Sequence, residues 1–320
     1  MRVGFFHTYA FHHAMLDPVA RAIGSDATCL HTDDVDSLVR FAPDVVVLAE
    51  HAKSHLSPLL PGVPIVWTRH GFAAKNYTGE SLAACDYACL SSAWVRADCH
   101  ARGWRAQREE WITGFPPMDA LWQAVQQPAE PRPLTLLYAP THNPALTSLN
   151  RLGHSWGPRL RAALPQLHVL IKLHPHSPDK QPLWCERLRQ WAANDPGIEI
   201  IEDADADIYP LLARADVLLT DASSVMFYWL ALDRPLILVD SLHRFGDAQR
   251  YAPDGYEWQW RDMGERIESG ADLIPALHRA LASPQAHAVA RNVYRQRLFG
   301  NGFDGGAAQR VARHVLDLAA

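Results

Sequence analysis

The sequence has little cysteine, no long apolar run and no basic excess, and each absence excludes a class of protein. Five cysteines in 320 residues are an odd number, which argues against a secreted scaffold built on disulfide pairs. The net charge of −5 gives no sign of the basic stripe typical of nucleic-acid binding. No apolar stretch reaches the length of a membrane span. Because no small-residue cleavage site follows the N-terminal apolar run, we expect a cytoplasmic protein without a signal peptide.

Two groups of residues suggest a metal site at first sight. Cys85, Cys89 and Cys99 precede His100, but the spacing lacks the C-x2-C pair typical of structural zinc. We predict buried thiols in a reducing compartment. The acidic run "DADAD" ends at Asp207, and we interpret it as a loop whose last residue caps a helix. There is also no G-x-G-x-x-G motif after a strand and no Walker loop.

Short runs rich in valine, isoleucine and leucine alternate with helical stretches along the chain. The predicted strands of the first part are "RVGFF", "VVVLAE", "PIVWTRH", "YACLSS" and "WITG". After the proline-rich segment 126–133, they are "LTLLYAP", "HVLIKLHP", "IEII", "DVLLTD" and "LILVD". This alternation predicts an α/β fold of two parallel, doubly wound sheets covered by helices, with a cleft between them. We place the domains at residues 1–126 and 133–302, followed by a C-terminal helix over 303–320.

An acid and two hydroxyls open the most apolar segment of the chain, residues 218–238. Asp221, Ser223 and Ser224 follow a predicted buried strand and precede "SVMFYWLAL", which predicts a helix enclosed on all sides. Asp221 or Ser223 has the side chain of an N-cap. The same helix start offers unpaired N–H groups and a positive dipole end that suit a phosphate. The segment by itself favours neither capping nor phosphate binding.

Several histidines follow predicted strands, at the sheet edge where open parallel sheets bind their ligands. His70 follows "PIVWTR" and His174 follows "VLIKL", while Thr141 follows "LLYAP". A histidine can accept a proton from an attacking hydroxyl or, when charged, stabilise a phosphate. Any single histidine is more often an idle loop residue. Two at strand ends, one in each predicted domain, favour function.

Six motifs, in the same order, resemble those of the CDP-glycerol glycerophosphotransferases of teichoic acid and capsule synthesis. The first sixty or so residues carry no match. The motifs are "TRHGFAAKNY" (68–77), "TGFPPMD" (113–119), "YAPTHN" (138–143), "KLHPHS" (172–177), the long block 205–238, and "FDGGAAQRVA" (303–312).

The resemblance implies the GT-B architecture of two Rossmann-like domains, an acceptor side in the first and a CDP-donor site in the second. It implies transfer of a polyol phosphate, glycerol phosphate foremost, to an acceptor hydroxyl with release of CMP. His70 would be the catalytic base and His174 a catalytic contact to the diphosphate. The donor phosphates would be bound by Ser223, Ser224, Asp221 and Thr141. Candidate acceptor or cleft residues are Gly71, Lys75 and Lys172, together with His7 and His12, which are named because they follow the first predicted strand and not because of a family motif.

The resemblance also implies partners and leaves alternatives. We expect a nucleotide-activated donor, a glycan or lipid-linked polymer acceptor, at most peripheral contact with the inner membrane face, and no nucleic acid. Because CMP leaves readily, we expect neither a metal nor a cofactor. His142, Asn143, Ala222 and Phe72-Ala73 depart from the family pattern at the donor or acceptor pocket. A GT-B glycosyltransferase or epimerase using a nucleotide sugar, or a non-catalytic nucleotide-binding module, therefore remains an alternative.

Overall fold

The computed structural model describes residues 1–50, 56–72, 77–128, 131–203, 206–241 and 254–318. Within these ranges two six-stranded parallel sheets form. The first contains β1 (Arg2–Phe6), β2 (Thr28–Thr32), β3 (Val45–Leu48), β4 (Ile65–Trp67), β5 (Tyr87–Leu90) and β6 (Glu109–Ile112). The second contains β7 (Thr135–Tyr138), β8 (His168–Lys172), β9 (Ile198–Ile201), β10 (Val217–Thr220), β11 (Leu236–Val239) and β12 (Glu265–Ile267). All ten strands predicted from the sequence are present.

Helices connect the strands, as parallel pairing requires. Those associated with the first sheet are α1 (His13–Ile23), α2 (Val35–Phe41), α3 (Tyr77–Ala84), α4 (Ala93–Ala101) and α5 (Met118–Gln126). Next come α6 (Leu149–Leu152), α7 (Trp156–Ala163), α8 (Ser177–Lys180), α9 (Pro182–Asn194), α10 (Ile208–Arg214), α11 (Val225–Trp229) and α12 (Tyr256–Gln259). The last are α13 (Leu273–Ala282), α14 (Ala288–Phe299) and α15 (Ala307–Asp317). The predicted cap of α10 is confirmed, because the Asp207 carboxylate accepts the amide hydrogen of Tyr209 at 3.1 Å.

The chain divides into two compact units, each built around one sheet. The first unit holds most of the chain up to Gln126 and takes it up again from Gln296, and the second holds residues 127–295. The point where the chain returns to the first unit, between residues 295 and 296, therefore lies inside α14, seven residues before the predicted boundary between 302 and 303.

Strand order in the first sheet is β2-β1-β3-β4-β5-β6. The order reverses between β1 and β3, so the chain segments after these two strands diverge and leave a crevice at the carboxyl edge. The edge strand β2, "TCLHT", is mostly half-buried. Its apolar and polar residues are mixed, which explains why the sequence pattern did not reveal it.

The C-terminal helix α15 belongs to the core of the first unit. Val311, Ala312 and Val315 pack with Leu16 and Val19 of α1 in one hydrophobic cluster. This apolar face holds the helix against the body of the unit.

The start of α15 is capped by a distant carboxylate. Asp119 accepts the amide hydrogens of Ala307 at 3.1 Å and of Ala308 at 2.8 Å. Arg310 donates to the Thr113 carbonyl at 2.7 Å. Asp119 and Thr113 lie in "TGFPPMD", and the three other residues lie in "FDGGAAQRVA". These two motifs therefore hold the fold together by contacting each other.

Strand order in the second sheet is β12-β11-β10-β7-β8-β9. Read from β9, the order corresponds to the 3-2-1-4-5-6 arrangement of a Rossmann fold. The reversal lies between β7 and β10, where Leu219 pairs with Tyr138. The segments after these two strands, 139–148 and 221–224, therefore begin beside each other.

Four of the five cysteines are buried, as predicted from the sequence. Cys85, Cys89, Cys99 and Cys185 are buried thiols, and Cys29 is half-buried. Over the described parts of the chain, no helix combines the length and the apolar character needed to span a bilayer.

Candidate active site

Asp221 organises the crevice between β7 and β10 in the second unit. Its side chain is almost fully buried, with the residue 1% exposed. One carboxylate oxygen accepts the amide hydrogen of Thr141 at 2.8 Å. The other accepts from the Ser148 amide and from the Ser148 hydroxyl, both at 2.7 Å. Asp221 therefore fixes both ends of the loop that follows β7.

The Ser148 hydroxyl extends this network into the sheet. Because it donates to Asp221, it has only lone pairs left for Tyr138, whose hydroxyl lies 2.9 Å away. The Tyr138 hydroxyl must therefore be the donor of that pair. Burial raises the pKa of the Asp221 carboxyl above its ordinary value, and the hydrogen bonds from Ser148 and Thr141 offset only part of this.

The prediction that Asp221 or Ser223 caps the following helix is wrong for Asp221. Its carboxylate is directed to the 141–148 loop, and Ser224 occupies the N-cap position of α11 without a capping bond from its side chain. The Ser223 hydroxyl oxygen lies 3.4 Å from the amide nitrogen of Val225, a weak contact near the helix start. The helix itself is short, because α11 ends at Trp229 and continues as a 3₁₀ turn over Leu230–Leu232.

Both serines are half-buried, whereas Met226, Phe227 and Trp229 of α11 are fully enclosed. The predicted burial of this segment is confirmed. The start of α11 thus presents two hydroxyls next to a rigid apolar anchor.

A buried arginine, which the sequence analysis missed, holds the backbone of the same segment by hydrogen bonds. Arg261 donates to the Asp221 carbonyl and the Val239 carbonyl, both at 2.9 Å, and to the Asp240 carboxylate at 2.8 Å. Arg266 donates to the second oxygen of Asp240 at 2.6 Å. Burial would raise the pKa of Asp240, but the two arginines outweigh it and hold that pKa below its ordinary value.

Three histidines cluster after β7 and β8. The ring of His142 lies 4.1 Å from that of His174 and 5.4 Å from that of His176, between centroids. The His174 Nδ1 atom accepts the amide hydrogen of His176 at 3.1 Å, which leaves its proton on Nε2 in the neutral form. The Gln181 amide donates to the His142 carbonyl at 3.1 Å and so ties the two segments together. Of these three histidines, the sequence analysis assigned a role only to His174.

Two other candidates of this unit lie deeper than their predicted roles suggest. Thr141 is buried, and its amide is bonded to Asp221. Lys172 is buried at the end of β8, and its ammonium group donates to the Leu173 carbonyl at 3.3 Å.

His70 of the first unit follows β4 on a tightly constrained turn. Thr68 is held to Leu48 by its amide at 2.8 Å and its hydroxyl at 3.2 Å. The next residue, Arg69, has a φ of 62°, a left-handed conformation that is uncommon for a side chain of this size. The Arg69 guanidinium bonds the carbonyl of buried Gly71 and lies over the Phe72 ring. Such strain occurs mainly where the surrounding structure requires a particular orientation.

His12 lies beside His70, with ring centroids 6.1 Å apart. It is fully buried, and burial, together with His7 and His13, lowers its pKa to about 4. Its Nδ1 atom accepts the amide hydrogen of Thr8 at 3.3 Å, so its proton is on Nε2, which lies 3.5 Å from Glu50. His12 is therefore a neutral, fixed imidazole at the crevice between β1 and β3.

The remaining candidates of the first unit are His7 and Lys75. His7 is half-buried, and its ring packs against that of His13 at 4.4 Å. Lys75 lies outside the described residues.

Sequence comparison decides the family. Residues 67–317 match the profile of the family described as CDP-glycerol:poly(glycerophosphate) glycerophosphotransferase. The chain belongs to this family. The match covers most of the chain and confirms the resemblance on which the predicted enzyme class rests: a transferase of polyol phosphate from a CDP-activated donor. No curated protein sequence matches the chain.

Solved structures show the same fold. A variant of the wall teichoic acid polymerase TagF is 13% identical with a TM-score of 0.73, covering 100% of this chain and 89% of its own. A UDP-GlcNAc 2-epimerase from Neisseria meningitidis, bound to UDP-GlcNAc, is 11% identical with a TM-score of 0.59, covering 99% and 98%. At these identities the likeness extends to the fold, and the predicted GT-B architecture is confirmed.

Proposed function

We propose that the protein transfers glycerol phosphate, or a related polyol phosphate, from a CDP-activated donor to a hydroxyl of a glycan or teichoic-type polymer. CMP is the second product. The observation that carries the proposal is the family match over residues 67–317. The local support is the crevice of the second unit, where two hydroxyls and three imidazoles follow the ends of adjacent strands.

The donor phosphates are assigned to the second unit. Ser223 and Ser224 offer hydroxyl donors at the start of α11, and His174 offers an N–H on Nε2. A diphosphate accepts such bonds with its charged oxygens, which makes them stronger than bonds between neutral groups. The oxygens of Asp221 already accept three bonds, so this side chain is committed to the loop rather than to a phosphate. Its role in this proposal is to position the loop that contains Thr141 and His142.

His70 is assigned the role of general base. It takes the proton of the acceptor hydroxyl as the acceptor oxygen attacks the phosphorus that carries the glycerol. The phosphoanhydride bond to CMP breaks, and its electron pair leaves with CMP. Because the leaving phosphate is weakly basic, the protein contributes orientation and charge stabilisation rather than a strong acid. No metal takes part in the proposed transfer.

The proposed acceptor is a glycan or lipid-linked polymer, and the proposed location is the cytoplasm, at the inner face of the membrane. The acceptor is proposed from the family match alone, because no described residue of the crevice is assigned to it.

A thermal-shift screen tests the donor class. The purified chain is titrated with CDP-glycerol, CDP-ribitol, CMP, UDP-sugars and GDP-sugars. A ligand at a hundred times its Kd stabilises the folded state by about 2.7 kcal/mol, which for a unit of this size raises Tm by about 5 °C or more. We expect the rise with CDP-polyols. A rise with UDP-GlcNAc alone would contradict the proposal. It would favour the reaction of the UDP-GlcNAc 2-epimerases, which are enzymes with the same fold.

A further inference from the structure

We propose that His13, Asp17 and His31 of the first unit form a binding site for a divalent transition-metal ion such as Zn²⁺. His13 and Asp17 stand one turn apart on α1, and His31 lies on the neighbouring strand β2. In the part of the chain that the structure describes, these three are the one group of such side chains whose ligand atoms converge within 4.8 Å. We call them the α1–β2 triad.

The distances within the triad suit a metal ion. The Asp17 Oδ1 atom lies 2.9 Å from His13 Nδ1 and 3.4 Å from His31 Nδ1. Ligands at the usual zinc distance of about 2.0–2.1 Å are separated by roughly 3.3 Å in a tetrahedron. The observed distances lie on either side of that value, so small side-chain adjustments would admit an ion.

The donor set also has the chemistry of a transition-metal site. Two imidazole nitrogens and one carboxylate oxygen bind Zn²⁺ and related ions, whereas Mg²⁺ and Ca²⁺ prefer all-oxygen sites. Three protein ligands leave a coordination position for water or another ligand. The side chains are 42%, 38% and 26% exposed for His13, Asp17 and His31, so the triad lies at the surface of the unit.

The scaffold holds the triad in place before any ion binds. The His31 ring stacks on Phe5 at 4.7 Å between centroids, and these two residues are register partners of β1 and β2. The His13 ring lies between those of His7, at 4.4 Å, and His31, at 5.6 Å. No described residue makes a hydrogen bond to His31 Nδ1, although this atom is shielded from solvent. This nitrogen, oriented toward the Asp17 carboxylate, is therefore placed to act as a metal ligand.

The triad is separate from the proposed transfer chemistry. It lies in the first unit, while the proposed phosphate-binding serines lie in the second. The proposal therefore does not rest on the proposed function. A chain without glycerophosphotransferase activity could still bind the ion, and an active enzyme could fail to bind it.

Calorimetry on untagged protein tests the site. The chain is first treated with chelator, dialysed and then titrated with Zn²⁺, with Co²⁺ as a visible-absorption probe and with Mg²⁺. We expect one Zn²⁺ per chain. Because each variant removes a direct ligand, Asp17→Asn and His31→Ala should each weaken binding by more than about 100-fold, beyond the usual effect of losing a supporting contact. The unchanged far-UV circular dichroism of Asp17→Asn verifies that the fold is intact.

His100→Ala is the matched control. His100 lies 2.5 Å from Glu110 in the same unit, an imidazole–carboxylate pair like that of His13 and Asp17 but without the second imidazole. Its zinc affinity should equal that of the wild type. The proposal is overturned if Zn²⁺ does not bind stoichiometrically, if Asp17→Asn binds as tightly as the wild type, or if His100→Ala weakens binding equally. In each of those cases Asp17 is only a hydrogen-bond partner of His13 and a carboxylate 3.4 Å from His31.

Discussion

Replacing Asp221 with asparagine tests how the candidate donor site is built. The substitution keeps the shape of the side chain but turns one acceptor oxygen into an NH₂ donor. The retained oxygen satisfies the side with two donors, the Ser148 amide and hydroxyl. The NH₂ group then faces the Thr141 amide, which loses its acceptor at 2.8 Å. A buried N–H without a partner costs about 1–3 kcal/mol.

The expected effect is local. A loss of about 2 kcal/mol at the Thr141 end of the loop corresponds to roughly 30-fold faster opening. Hydrogen exchange measured by mass spectrometry on a peptide spanning residues 139–149 reports this opening directly. The protection of β8 and β9, which make no bond to Asp221, should change much less.

Asp207→Asn is the control for the Asp221 variant. Asp207 is exposed and accepts the amide hydrogen of Tyr209, and asparagine caps helices about as well as aspartate. Its exchange profile should match the wild type. If exchange in residues 139–149 rises less than about threefold in Asp221→Asn, the carboxylate does not hold the loop and the reasoning is refuted.

Two further predictions concern the proposed roles. Ser223→Ala combined with Ser224→Ala should raise the calorimetric Kd for CDP-glycerol at least about tenfold, because bonds to charged phosphate are lost. The control Ser283→Ala, at an exposed position, should leave this Kd unchanged. An unchanged Kd in the double variant would show that the two serines do not bind the donor. His70→Ala and His174→Ala should each slow CMP release by about 100-fold or more. His278→Ala, at an exposed position, is the control. Near-wild-type turnover in either variant would show that the replaced histidine does not have its assigned role.

The fold could be predicted largely because buried parallel strands leave a clear sequence signal. Runs such as "VVVLAE" and "LILVD" are apolar on both faces, as strands covered by helices must be. The edge strands β2 and β12 lack this signal, since Glu265 and Arg266 of β12 are polar and partly exposed. The order of the strands, and hence the position of the crevice, leaves no trace in local pattern.

Only some of the residues that the structure brings together at this crevice were singled out from the sequence, and the omissions share a cause. The partners of Asp221 lie 80 and 73 residues away in sequence, so a local reading offered helix capping as the nearest explanation. His142 and His176 join His174 only because β7 and β8 are neighbours in the sheet. Arg261, the buried support of the Asp221 carbonyl, lies 40 residues from it in an unremarkable segment. Interactions across such distances are set by tertiary packing.

The most direct test of the proposed transferase is CMP release from CDP-glycerol in the presence of a short poly(glycerol phosphate) acceptor. The proposal predicts one CMP for each glycerol phosphate added to the acceptor, and no comparable reaction with UDP-GlcNAc. CDP-glycerol binding without turnover on any hydroxyl acceptor would point to a nucleotide-binding module. Conversion of UDP-GlcNAc with no reaction of CDP-glycerol would contradict the proposed transferase outright.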